Sequence, residues 1–225
     1  DGSVDRRTNL YYAETRDLGH TWHTADGKPL ELPLKDPLGP ALVRNYQAEG
    51  RLVYISDTQF DADGNPVVLY VTAASYEPGP PGEPRYQTVA RWNGRKWHYS
   101  DVTRTTHNYD VGSIYIEGDT WRIFAPAEPG PQHWGAGGEV AIWRSADRGA
   151  TWAKERDVTR GSERNHSYVR RPVNAHPDFY AFWADGNPDE FSPSCLYFTN
   201  KAGSQVWRLP YDMEGDFARP ETLKQ

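Results

Sequence analysis

An eight-residue pattern with four fixed positions recurs in this chain: Thr15-Arg16-Asp17-Leu18-Gly19-His20-Thr21-Trp22 and Ser145-Ala146-Asp147-Arg148-Gly149-Ala150-Thr151-Trp152. Both read S/T-x-D-x-G-x-T-W, and each predicts a tight β-hairpin. The aspartate accepts backbone N–H groups inside the turn, and the glycine supplies the positive-φ position. The threonine opens the next strand, and the tryptophan packs down between neighbouring sheets. Two degenerate copies follow the same logic, Trp92-Asn93-Gly94-Arg95-Lys96-Trp97 and Asn200-Lys201-Ala202-Gly203 followed by Trp207. The motif glycines fall at 19, 94, 149 and 203, so the last two intervals are 55 and 54 residues. That spacing suits a repeated four-stranded sheet of roughly 40–50 residues with long loops. The first interval, 75 residues, is stretched by a Pro-rich insert near 76–86.

Runs of β-forming residues between turn signals place strands on this frame. One set covers 51–60, 66–76, 86–92 and 96–102. The next covers 111–117, 120–125, 139–144 and 151–156, and a third covers 167–174, 179–184, 194–199 and 205–210. Only two strands precede them, 9–14 and 20–25. The expected fold is all-β, a single partial β-propeller domain of four-stranded blades. Its half blade spans 1–40, and full blades span about 41–105, 106–160 and 161–215. A closed propeller carries about 4–8 blades, and an open arc exposes long sheet edges. The expected partners therefore include the missing blades, from the same or another chain.

Composition narrows the function classes. Nine Trp and 14 Tyr in 225 residues agree with sheet structure. A net charge of -6 argues against nucleic acid, which needs a basic face. No apolar run approaches membrane-spanning length, so no membrane partner is expected. The lone Cys195 excludes an internal disulfide framework. Asp1 opens inside a repeat, so a processed or truncated N-terminus is expected, and the lack of a leader does not argue against secretion.

The hairpin turns occupy one face of a propeller, joining third to fourth strands. The chemistry of this sequence gathers on the other face, in the links between blades. Asp101-Val102-Thr103-Arg104-Thr105-Thr106-His107-Asn108-Tyr109 parallels Asp157-Val158-Thr159-Arg160 and, after an insert, Asn165-His166-Ser167-Tyr168. Each link brings a His-x-Tyr to the start of an inner strand, either for acid–base chemistry or for bonds to backbone at the junction. Arg170 and Arg171 follow. In a regular strand they point to opposite sides, so at most one accompanies Tyr168. With Arg164 they are candidates for bidentate capture of a carboxylate or sulfate, or else ordinary surface charges. Two second-to-third loops also repeat, Tyr76-Glu77-Pro78-Gly79-Pro80 and Ala127-Glu128-Pro129-Gly130-Pro131. The second continues to His133 and Trp134, a loop-packing pair or a sugar-stacking rim.

No cofactor is required by this reading. A structural metal has two candidate ligand sets: Asp185, Asp189 and Glu190 for calcium, and His166, His176 and Cys195 for zinc. Solvated acidic turns are commoner than calcium sites.

Asn9-Leu10-Tyr11-Tyr12-Ala13-Glu14 before the first turn motif resembles the BNR-repeat (Asp-box) propeller family that includes ulvan lyases and a related rhamnosidase. So do Asn108-Tyr109-Asp110-Val111-Gly112-Ser113, Arg164-Asn165-His166-Ser167-Tyr168 and the stretch Asn174 to Gly186. The chain looks like the C-terminal half of that fold. The resemblance implies a seven-bladed ring and a secreted or periplasmic protein acting on an acidic, uronate-containing polysaccharide. It implies a His and a Tyr as acid and base, and an Arg against the uronate carboxylate, mostly from blades preceding these. The leading expectation is a polysaccharide lyase working by β-elimination. Its catalytic candidates are His107, Tyr109, His166, Tyr168, Arg170 and Arg171, with Asn108, His133, Trp134, Arg164 and Asn165 as substrate-binding candidates. The alternatives are a rhamnosidase-like or sialidase-like glycoside hydrolase and a non-catalytic glycan-binding propeller. No clean arginine triad of the sialidase kind is visible.

Overall fold

The computed structural model describes residues 4–223 and is all-β, consistent with propeller blades. The sole helical element among the described residues is a 3-10 turn, Pro80–Gly82. Among the described residues, no helix is long and apolar enough to cross a membrane. The N-terminal part holds two two-stranded sheets, β1 (Leu10–Tyr11) with β4 (Leu42–Arg44) and β2 (Trp22–His23) with β3 (Pro29–Leu30). Next come β5 (Leu52–Phe60), β6 (Pro66–Ala73), β7 (Tyr86–Trp92) and β8 (Trp97–Arg104), paired in sequence order as one antiparallel sheet. The following sheet holds β9 (Ser113–Glu117), β10 (Thr120–Glu128), β11 (Glu139–Ser145) and β12 (Ala153–Asp157). The last holds β13 (Asn165–Arg170), β14 (Ala181–Gly186), β15 (Leu196–Thr199), β16 (Val206–Arg208) and β17 (Glu221–Leu223).

Two details depart from the sequence reading. The outer strand of the N-terminal half blade is broken. Glu14 bridges His23 at one end of β1, while Leu10 and Tyr11 pair with β4 at the other. Between these pieces β3 pairs back onto β2, and the chain then returns at 42–44 to pair with β1, beyond the expected half-blade end at 40. The second departure is β17, a fifth strand whose Leu223 pairs with Val206 on the outer edge of the last blade.

Strand alternation explains why these sheets stack. Every residue of β6 is buried. Its Val68 and Tyr70 join Leu10, Tyr46 and Val53 on one side, while Val67 and Leu69 join Ile123, Trp121 and Trp143 on the other. The next interface packs Tyr115, Phe124 and Ile142 against Tyr180, Trp183 and Tyr197. On the far side of the last blade, Phe182 stacks on Phe179, and Phe198 stacks on Trp207.

The turn motifs form as their residues demand. Asp17 Oδ1 accepts the Thr21 N–H at 2.8 Å, its Oδ2 accepts the Thr21 hydroxyl at 2.7 Å, and Thr15 Oγ1 accepts the Gly19 N–H at 2.8 Å. Asp147, Thr151, Ser145 and Gly149 repeat this set at 2.9, 2.6 and 2.8 Å. The donors on Thr21 hold the Asp17 carboxyl down at about 2. The two glycines differ in surroundings. Gly149 has φ 77°, and a Cβ there would lie 2.6 Å from the Trp121 ring, whereas at Gly19 it would lie 3.9 Å from Trp22. Gly149→Ala is therefore expected to lower stability by about 2–4 kcal/mol, from left-handed strain plus overpacking, and Gly19→Ala by about 1–2 kcal/mol from strain alone. Urea titration of both variants checks the order.

Candidate functional site

Three inner strands approach one another along the propeller axis: β5, β9 and β13. Val169 N–H donates to Val111 O at 3.0 Å, and Ser113 Oγ donates to Val169 O at 3.1 Å. Ile114 N–H donates to Asp57 Oδ2 at 3.0 Å. Both β5 and β13 are bulged where they face this junction, between Ile55 and Asp57 and between Ser167 and Arg170. The β13 bulge contains Tyr168, a non-glycine residue at φ 56° whose side chain is 46% exposed. Bulges re-aim side chains, and a strained tyrosine in one marks a site worth attention.

The bulge overturns the expectation that Arg170 and Arg171 point apart. Arg170 Nη1 donates to Ser56 O at 3.2 Å, and Arg171 Nε lies 3.9 Å from Asp57 Oδ2. The two arginines therefore reach adjacent residues of β5, Arg170 at Ser56 and Arg171 at Asp57. The Arg170 guanidinium also sits 5.9 Å from the Tyr168 ring centre, and that of Arg171 sits 6.0 Å from the Tyr115 ring centre.

Tyr109 borders this group. Its hydroxyl donates to Asp5 Oδ1 at 2.9 Å, and Arg7 lies 5.6 Å from its ring centre. Burial, the bond to Asp5 and nearby Tyr168 raise the Tyr109 pKa, so the phenol keeps its proton. His107 stands 5.7 Å from the Tyr109 ring, and its Nδ1 accepts the Tyr109 N–H at 3.1 Å. Burial and the adjacent Arg85 lower its pKa to about 4. It is a neutral imidazole carrying its proton on Nε2, suited to donate a hydrogen bond rather than to exchange protons at neutral pH.

His166 does not join Tyr168. It is buried, its Nδ1 accepts the Trp183 indole N–H at 2.9 Å, and its Nε2 lies 2.9 Å from Ser162 Oγ. Because indole is only a donor, Nδ1 is bare and Nε2 carries the proton. Burial lowers its pKa to about 4. Tyr168's left-handed backbone turns the tyrosine away from its histidine, so the two His-x-Tyr copies differ in space.

His166 lines a cavity of about 270 Å³ beneath the link 158–164, with Arg164, Asp185, Tyr197 and Arg208. The charges there are spent on one another. Asp185 Oδ2 accepts from Arg164 Nε at 3.0 Å, from Arg164 Nη2 at 2.9 Å and from the Tyr197 hydroxyl at 3.0 Å. Its Oδ1 accepts the Cys195 N–H at 2.7 Å, and Arg208 pairs with Glu221 at 2.6 Å. The same bonds leave Asp185 no capacity for calcium. His176 is exposed beside Asp178, far from the buried setting of His166. Among the described residues, no three His, Cys, Asp or Glu side chains gather as a metal site.

Asn108 and Asn165 are buried staples. Asn165 Oδ1 accepts the Gln132 N–H at 3.1 Å, and its Nδ2 donates to Gln132 O at 2.9 Å. Asn108 Nδ2 donates to Ser75 O and Tyr76 O, both at 3.2 Å, while its Oδ1 accepts from Arg85 Nε at 2.8 Å. Each asparagine fastens the second-to-third loop of one blade to the link that follows. With every polar atom committed, neither is placed to hold substrate. His133 packs 4.1 Å from the Trp134 ring, and a methyl at Gly79 would lie 3.6 Å from that indole. Trp134, 38% exposed, thus joins the two loops and still presents a ring edge to solvent.

Two residues were missed by sequence reasoning. Arg85 is wholly buried and also donates to Gly79 O at 2.9 Å. Asp110 is wholly buried, and it accepts the Thr105 hydroxyl, the Thr106 N–H at 3.1 Å, the His107 N–H at 2.8 Å and the Gly137 N–H at 2.7 Å. Burial pushes its pKa up to about 7 against those donors. The signal available was an aspartate following Asn-Tyr at the head of an inner strand, which alone does not announce burial.

Fold and axis together define an arc of a β-propeller with an arginine- and tyrosine-lined centre. The model of the BNR repeat-containing family matches residues 1–105. A solved PL25 ulvan lyase, described as representing a new family of polysaccharide lyase, superposes with a TM-score of 0.70 at 17% identity, over 86% of this chain. The same enzyme bound to -[GlcA(1-4)Rha3S]- superposes equally, at 0.70 and 17%. The chain spans 43% of that enzyme's length. No curated protein matches it. The family match and the structural likeness together support a BNR-repeat propeller family.

Proposed function

We propose that this chain supplies part of the cleft of an extracellular polysaccharide lyase, acting on a uronate-containing, ulvan-like polysaccharide. The observation that carries the reading is the convergence of Arg170 and Arg171 on the channel beside the strained Tyr168. The reaction needs a cation against the uronate carboxylate, because removing the α proton spreads negative charge into that group. The two guanidiniums supply it. Tyr168, open to the channel beside the Arg170 guanidinium, enters the step as its phenolate and takes the C5 proton, becoming a phenol. The C4–O bond then breaks, a C4=C5 double bond forms, and the leaving oxygen gains a proton from Tyr109, whose phenol is held protonated. Neutral His107 donates a hydrogen bond to a substrate oxygen, and Trp134 offers its exposed ring edge to a sugar at the rim.

The outward aromatic face of the last blade, with Phe179, Phe182, Phe198 and Trp207, supports further blades as partners that complete the ring. Incubation with glucuronate-rich ulvan is the test. The expected product carries the ultraviolet absorbance of an unsaturated uronate. New reducing ends without that absorbance would replace the reading with hydrolysis, and binding without any release would replace it with a glycan-binding propeller.

A further inference from the structure

The arginines named above do not stand alone, because a carboxylate lies under them. We infer that Asp57 is a positioning residue: from the bulge of β5 its charge, 3.9 Å from Arg171 Nε without a hydrogen bond to it, draws Arg171 toward the axis and trims the charge of the arginine pair to suit a monoanionic sugar substituent. Its role as part of a reaction cleft rests on the elimination reading; its influence on Arg171 does not.

The geometry is specific. Asp57 Oδ1 accepts the Thr58 N–H at 2.8 Å, and Oδ2 accepts the Ile114 N–H at 3.0 Å, which fixes the carboxylate between two inner strands. Its side chain is 17% exposed, and Arg171 Nε is 3.9 Å from Oδ2. Arg170 is held one residue earlier, on Ser56 O. A bulge in β5 and a bulge in β13 thus meet, each turned out of regular pairing toward the other. Neither Arg171 Nε nor the Ser56 hydroxyl has a hydrogen-bond partner, although both atoms are buried. Buried donors without partners are destabilising and call for an occupant. Two guanidiniums and one carboxylate leave a single net positive charge beside those donors. A carboxylate or a sulfate monoester neutralises it, whereas a phosphate monoester dianion overshoots. The carboxylate of Asp57 is thus what separates this cluster from a general polyanion site.

The test is Asp57→Asn in the 225-residue chain, read first without any glycan. Phenylglyoxal modifies exposed guanidiniums, and peptide mass spectrometry follows each site. Arg164, paired to Asp185, serves as the internal control. The expected result is modification of Arg171 at least 5-fold faster than in the unaltered chain, with Arg170, held on Ser56 O, and Arg164 unchanged. An unchanged rate at Arg171 would overturn the proposal, and so would matching acceleration at Arg170 or Arg164, which reports general loosening. The second reading is turnover of ulvan, expected to fall about 30-fold in kcat/KM with most of the loss in kcat. If the ring completed by its further blades eliminates nothing, the lyase reading fails while the labelling result still decides the role of Asp57.

Discussion

Arg171→Ala is expected to lower kcat/KM on a uronate polysaccharide by about 10²–10³-fold, the usual cost of deleting one preorganised group that stabilises developing negative charge. The change falls on kcat, because the α carbon acquires its charge only on the way to the transition state. Stability is expected to move little. Arg171 Nε has no hydrogen-bond partner, and its nearest carboxylate oxygen is 3.9 Å away, too far for a strong pair. Initial rates alongside a thermal melt separate the two effects. Turnover within 3-fold of the unaltered chain would remove Arg171 from the reaction and, with it, the main physical support for elimination at this site.

Acidification is expected to act through His166. Its folded pKa is about 4 and its ordinary value is 6.5. The unfolded chain therefore takes up a proton between those values that the folded chain refuses. Stability from the neutral ring is complete above about pH 6.5 and is lost as pH falls toward 4. A difference of that size corresponds to roughly 3 kcal/mol. Asp110 works in the opposite direction, because its folded pKa of about 7 means the folded state keeps a proton that the unfolded state releases. The measurement must therefore be a difference. His166→Gln is expected to be destabilised at pH 7, having lost its geometry toward Trp183 and Ser162, and this deficit should shrink by about 3 kcal/mol by pH 4. Denaturant titrations of both proteins across that range check it. A deficit constant with pH would mean that His166 is solvated enough to titrate normally.

Much of the architecture was legible because turn chemistry is local. Asp147, Gly149 and Thr151 meet within five residues, so their pattern announces the hairpin before anything distant is known. The strands of the three full blades were readable for a similar reason. Alternating apolar residues must bury on both faces, as Val67, Val68, Leu69 and Tyr70 do. The break in the outer strand of the half blade was not legible, because residues 25–40 carry ordinary turn signals and Leu42–Arg44 returns to β1 from a distance.

The candidate site was legible in its residue types and not in its arrangement. Tyr109, Tyr168, Arg170 and Arg171 could be singled out from repeated links and a charged strand. A period of two then predicted that the arginines diverge, and a bulge cancelled that period. Asn108 and Asn165 sat in the right repeat, yet their short amides bond to loops some thirty residues away and so belong to the scaffold. Sequence alone determined the hairpins, the blade register and the list of groups able to bind an acidic sugar. Only tertiary structure decided which of those groups share a space, because Asp57, Ile114 and Arg171 come from three different blades. Their meeting follows from two bulges and the stacking of sheets, which are properties of contacts between segments that no local pattern encodes.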